Sequence, residues 1–224
     1  MFWKQLKQSA SLCKANIWWA VHPEGKKVGS TLSQSLTKKI LASYLDIEEK
    51  DLPLYTNTQG KPLLSDPFSH IHFNTSHSLD TLAFCICEKD PVGIDIEYIK
   101  NIASFKSTIE NLFSVQEQKG LQKIALSERE ALFFHLWTCR EALIKACGLS
   151  LLPSLKEMTT FSFLPPTTTV EWKKEIWHLE KIFSPLDLPS PLCANLACLG
   201  NKPLQPKQHI IPKKIIEEVM NNRF

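Results

Sequence analysis

Three stretches of this chain hold residues whose types and spacing could do chemistry. The first runs from Trp137 through Arg140 and Glu141 to Lys145 and Gly148. At helical periodicity Trp137, Glu141, Lys145 and Gly148 share one side, whereas Leu132, Leu136, Leu143 and Ala146 lie largely on another. Glu followed by Lys at i+4 is a common surface pair worth about 0.2–0.5 kcal/mol, and alone it implies nothing more. The indole one turn earlier argues for more, since a solvated charge strip has no need of it. The second stretch is Val92 to Glu97. Read as a strand, it sends Val92, Ile94 and Ile96 to one face and Gly93, Asp95 and Glu97 to the other. Like charges this close raise one another's pKa unless a cation lies between them, and carboxylate oxygens are what a hard divalent ion accepts. Gly93, one pleat earlier, leaves room for something to approach the backbone. Without a cation, the same pattern describes an edge strand with two solvated acids.

The third stretch, His72 to Ser78, crowds hydroxyls, an amide and imidazoles into seven residues. It could cap a helix, form a tight turn or line a pocket whose donors suit phosphate. A hydrolase dyad is a poor reading of it, because nucleophile and base converge in space rather than in sequence. Lys61 sits in the turn Gln59-Gly60-Lys61-Pro62, and local evidence alone makes it a solvated loop lysine.

The elements that must position these residues are partly legible. Ser127 with Glu130 forms a capping-box pattern that predicts the start of the main helix, and Gly148 is suited to end it. Ser114 with Glu117 predicts a second helix start, with partial helix before it from Asn101. Ala15–Val21 and Thr81–Cys87 read as strands, the latter buried on both faces. Residues 31–45 read as an amphipathic helix. Strand-like runs at 161–164, 172, 177–183 and 191–199 suggest a second antiparallel sheet, and 212–220 a terminal helix with proline in its first turn. The expected class is α+β: two similar lobes in a pseudo-twofold arrangement, residues 1–100 and 101–224, the latter ending in a basic tail. The cleft between them is the natural site, because it brings Asp95 and Glu97 near the main helix.

Composition narrows the function classes. With 224 residues, 43% hydrophobic and 22% charged, the chain is long enough for a sizeable core and ordinary for a globular protein. A net charge of +3 without a basic cluster argues against nucleic acid. The seven cysteines lie in apolar segments without zinc spacing and read as reduced thiols, which with the absence of an apolar span points to a cytoplasmic protein and no membrane. Lys4, Lys7 and Lys14 interrupt any apolar core at the N-terminus, so no signal segment is expected there.

In order and at similar separations, Gly60-Lys61-Pro62, Phe73 to Ser78, Gly93 to Glu97, Phe113 to Glu117 and Trp137 to Gly148 resemble the motifs of the 4′-phosphopantetheinyl transferases, in their long, two-lobed (Sfp-type) group. The resemblance covers roughly residues 26 to 200. It implies transfer of 4′-phosphopantetheine from coenzyme A to a serine of an acidic apo carrier protein, as in fatty acid biosynthesis, by a monomer that requires Mg²⁺. It further implies that Asp95, Glu97 and Glu141 hold the metal and that Glu141 and Lys145 are catalytic. By the same resemblance Lys61, Ser76 and His77, with Lys145, grip coenzyme A, and Trp137 supports the helix by packing. Two departures stand out: Arg140 replaces the usual lysine, and the glycine-x-glycine that usually follows is shortened to Gly148-Leu149-Ser150. A non-catalytic module that binds coenzyme A or a carrier protein is the alternative reading.

Overall fold

The elements follow from the apolar pattern. A computed structural model describes residues 15–221; the reading made of the N-terminal lysines lies outside them. In chain order the strands and helices are β1 (Ala15–Val21), α1 (Ser30–Leu45), β2 (Leu54–Thr56), β3 (Pro62–Leu64), β4 (Ile71–Ser78), β5 (Thr81–Glu88), β6 (Val92–Tyr98), α2 (Lys106–Leu112), α3 (Val115–Lys123), α4 (Leu126–Cys147), α5 (Leu151–Glu157), β7 (Thr169–Trp172), β8 (Glu175–Lys181), β9 (Leu192–Leu199), β10 (Lys207–Ile210) and α6 (Lys213–Asn221). The class is α+β, as expected. One sheet has the order β10-β1-β5-β4, the other β6-β9-β8-β7, and β2-β3 is a separate hairpin.

The two sheets pack face to face, and each is covered on its outer face by helix. Period-two burial shows this directly. Leu82, Phe84 and Ile86 of β5 join Trp18 of β1 and Leu32, Leu36 and Ile40 of α1 in one core. Ala83, Cys85 and Cys87 point the other way and meet Ile94 and Ile96 of β6 and Leu196 of β9. A strand between two apolar layers must be apolar on both sides, which is why β5 reads as a continuous hydrophobic run. A third core lies under α4, where Phe133, Leu136 and Leu143 pack on Trp177, Leu179 and Ala197.

Two boundaries differ from the sequence reading. β6 is not the last strand of the first lobe: it pairs antiparallel with β9 along its whole length, from Val92↔Cys198 to Tyr98↔Leu192, and so belongs to the second sheet. The C-terminal segment is not a tail of the second lobe. β10 pairs parallel with β1, and α6 buries Ile216 and Val219 in the first core. The chain therefore leaves the first lobe and returns to close it. Burial explains the return, since without Ile211, Ile216 and Val219 the apolar face shared by β1 and α1 would lie partly open to water. The run 161–164 forms no strand.

Ser114 and Glu117 form the full reciprocal capping box of α3. The box expected at Ser127 and Glu130 does not form, because the N-cap of α4 lies two residues earlier, at Ala125, which makes no side-chain bond, and the helix already begins at Leu126. Gly148 ends α4 in the left-handed conformation, φ 67°.

Candidate active site

The acids of β6 and the charged residues of α4 meet at the seam between the two sheets. Their approach depends on Gly93. A Cβ there would lie 2.2 Å from the Ala142 carbonyl oxygen and 2.4 Å from the Ala146 amide nitrogen, so only glycine lets α4 lie directly on β6. What approaches Gly93 is the helix itself.

From that contact the side chains follow. Lys145 Nζ lies 2.6 Å from Asp95 Oδ1 and 3.7 Å from a Glu141 carboxylate oxygen. Asp95 is only 2% exposed, and its Oδ2 has no hydrogen-bond partner among the described residues. Burial, followed by repulsion from Asp95, pushes the Glu141 carboxyl up to about 7 against the pull of Lys145; Glu97 adds to the repulsion. Burial works against the charge on Lys145, but Asp95 and Glu141 outweigh it, and the ammonium stands above the usual lysine range. Trp137 stacks on Phe133, one turn earlier on the same helix, with ring centroids 6.4 Å apart, and packs partly buried against the core below α4.

β4 supplies the other wall through the alternation of Asn74, Ser76 and Ser78 along the strand. Asn74 Oδ1, Ser76 Oγ and Ser78 Oγ accept the backbone N–H groups of Ile94, Ile96 and Tyr98. Residues two apart on one strand thus satisfy the open edge of β6 with side chains instead of a backbone ladder. The two serine hydroxyls then donate to the acids: Ser76 to Asp95 at 2.8 Å and Ser78 to Glu97 at 2.7 Å. Ser76 also accepts from Lys145 at 3.1 Å. Its hydroxyl is therefore engaged in orienting Asp95 and Lys145 rather than presented to open solvent. His77 points to the opposite face and is exposed. Partial burial, then Lys145 and Lys27, hold its imidazole below the usual histidine pKa.

Lys61 is neither a solvated loop lysine nor turned to the acids. Its Nζ donates to the Ala146 carbonyl at 2.8 Å, at the C-terminal end of α4, and lies 3.5 Å from the Val92 carbonyl. Arg140 is wholly buried. Its guanidinium pairs with Glu117 and lies 4.6 Å from the centroids of both Phe113 and Phe163. A planar cation fits between two rings where an ammonium would not, which accounts for arginine at this position. Glu117 Oε1 accepts from the Phe163 amide, so one carboxylate ties α3, α4 and the loop after α5 together.

Among the described residues no group of three or more His, Cys, Asp and Glu side chains is gathered as a metal cage. The residues nonetheless fit a cation: Asp95 Oδ2 is buried without a hydrogen-bond partner among the described residues, and Glu141 is held towards its neutral form first by burial and then by Asp95 and Glu97.

Residues 91–196 match the family model described as the 4′-phosphopantetheinyl transferase superfamily. That segment contains Asp95, Glu97, Glu141 and Lys145. The chain is 30% identical over 142 residues to the 4′-phosphopantetheinyl transferase HetI of Nostoc sp., covering 62% of this chain and 59% of that protein. It is 38% identical over 119 residues to gsp of Aneurinibacillus migulanus, covering 53% and 48%, and 31% identical over 120 residues to Sfp of Bacillus subtilis, covering 54% and 52%. The alignments thus span about half the length of these relatives. The matched segment holds the acids of β6 and the charged pair of α4, so the likeness to the 4′-phosphopantetheinyl transferase superfamily falls on the candidate site itself.

Proposed function

We propose that this protein transfers the 4′-phosphopantetheine group of coenzyme A to a serine hydroxyl of an apo carrier protein and releases adenosine 3′,5′-bisphosphate. The convergence of Asp95, Glu97, Glu141 and Lys145, from two elements in different parts of the sequence, carries this reading. The serine oxygen forms a bond to the β-phosphorus as the bond to the leaving phosphate breaks. The reaction needs in-line positioning, neutralised phosphate oxygens and removal of the serine proton. Glu141, whose carboxylate lies 3.7 Å from Lys145 Nζ, is assigned as proton acceptor. The Lys145 ammonium stays charged and hydrogen-bonds the departing phosphate. Asp95, Glu97 and Glu141 would hold Mg²⁺, which when bound neutralises phosphate charge.

Ser76 serves the site by orienting Asp95 and Lys145; His77, exposed and short of positive charge, is the candidate contact to the nucleotide end of coenzyme A. The partner is an acidic carrier, favoured by the chain's net positive charge. The cysteines, most of them buried in apolar surroundings and read as thiols, suit a reducing compartment, and we assign the protein to the cytoplasm, acting as a monomer.

Intact-mass measurement of a purified apo acyl carrier protein tests the proposal, after incubation with this protein, coenzyme A and Mg²⁺ and beside an EDTA control. A metal-dependent gain of one phosphopantetheinyl group is expected. No gain on several diverse carriers, with coenzyme A binding demonstrated, would replace the enzyme by a binding module.

A further inference from the structure

The turn between β2 and β3 grips the end of α4 at three points. Asn57 Nδ2 donates to the Gly148 carbonyl at 3.1 Å, Lys61 Nζ to the Ala146 carbonyl at 2.8 Å, and Ser150 Oγ to the Gln59 side chain. The turn is itself braced, because Asn57 Oδ1 accepts the amides of Gln59 and Lys61 at 3.0 and 2.8 Å. Helix C-termini leave carbonyls without intrahelical partners, and a cation there is doubly favoured, by the hydrogen bond and by the helix dipole. The fit extends to van der Waals contact. A Cβ on Gly148 would lie 3.0 Å from Lys61 Cδ and 3.1 Å from Asn57 Nδ2. Lys61 also lies beside the Val92 carbonyl, where β6 begins, so it joins the ends of the two elements that carry the candidate catalytic residues.

We infer that Asn57, Gln59 and Lys61 form a latch from the first lobe onto the last turn of α4, and that Lys61 is a positioning residue for Lys145 and Asp95 rather than a ligand of coenzyme A phosphate. The reaction it would tune rests on the function proposed above. The latch itself does not. Burial lowers the Lys61 pKa to about 8, which fits an ammonium enclosed among carbonyls rather than one waiting in solvent for an anion. The grip also gives a purpose to Ser150, which reaches the turn directly.

The test compares the native protein with Lys61→Met, Lys61→Arg and Asn57→Ala. It reads kcat and KM for coenzyme A, the Kd for coenzyme A by calorimetry, and hydrogen exchange of the amides of residues 143–148. The latch predicts faster exchange at these amides in Lys61→Met and Asn57→Ala. It also predicts a kcat lower by about tenfold or more, towards the roughly hundredfold cost of a 1 Å misplacement of reacting groups, with KM and Kd nearly unchanged and partial rescue in Lys61→Arg. A Kd for coenzyme A weakened about tenfold in Lys61→Met, roughly one lost charge-assisted contact, with native exchange rates and kcat, would overturn it. Unchanged values throughout would overturn it too. Asn57→Ala removes only one neutral hydrogen bond, so it remains readable should Lys61→Met fail to fold. If the native protein modifies no carrier, the function falls, while exchange and Kd still decide the latch.

Discussion

Arg140 and Glu141 are neighbours in sequence with opposite fates: one is locked in the core and the other faces the seam. The Arg140 guanidinium, between Phe113 and Phe163 and paired with Glu117, fixes the rotation of α4 and thereby the direction of Glu141. Replacing it by lysine keeps the charge but loses the planar fit, and about 1–2 kcal/mol of stability should go with it. Arg140→Met leaves a buried carboxylate without its cation and should cost about 3–5 kcal/mol; urea unfolding checks both. Glu141 sets a pH dependence. Its folded pKa, about 7, lies above the ordinary 4.5, so between those values the folded state holds the proton more than the unfolded chain does. Stability of the metal-free protein should therefore fall as pH rises through that window, and its cost is fully present above it. Thermal melts between pH 4 and 8 should show this slope, and Glu141→Gln should reduce it.

At the scale of elements, the contact between β6 and α4 is the construction on which the site depends. Gly93→Ala places a methyl group against backbone atoms of α4, which cannot yield as a flexible side chain could. The expected result is a loss of roughly 3 kcal/mol or more, at or beyond the upper end for overpacked cores, or failure to fold. Circular dichroism and urea titration separate those cases. A stable Gly93→Ala protein with native activity would contradict the close packing. β4 is the second support. It holds β6 through Asn74, Ser76 and Ser78 rather than through a ladder, so the line where the two sheets divide is polar, specific and adjacent to both acids.

For the whole molecule, the return of the chain matters most. β10 and α6 come last in sequence yet complete the first sheet and its core. The sheets also share a dry interface that includes Ile17, Trp19, Ala83, Ile94 and Leu196. The two lobes should accordingly unfold in one transition, with far-ultraviolet dichroism and tryptophan fluorescence coincident. Ile216→Ala, in α6, should cost about 2–5 kcal/mol and shift that whole transition. Two separated transitions, only one of them moved by Ile216→Ala, would show the lobes to be independent.

The sequence by itself determined what depends on neighbours a few residues apart. The alternation in Val92–Glu97, the two-faced burial of β5, the shared side of Trp137, Glu141 and Lys145, the capping box at Ser114 and the helix end at Gly148 were all legible, because periods of 2 and 3.6 and capping bonds are local. The motif order also carried the resemblance to the 4′-phosphopantetheinyl transferases. Only the tertiary structure decided that β6 pairs with β9, that the tail returns to β1, that Lys61 reaches the end of α4, and that Ser76 orients Asp95. Strand pairing uses backbone groups that are nearly the same at every residue, so a strand's pattern reveals its faces but not its partner. A lysine or serine side chain can likewise satisfy a carbonyl, a carboxylate or a phosphate, and which one it meets is fixed by the fold that brings distant segments together.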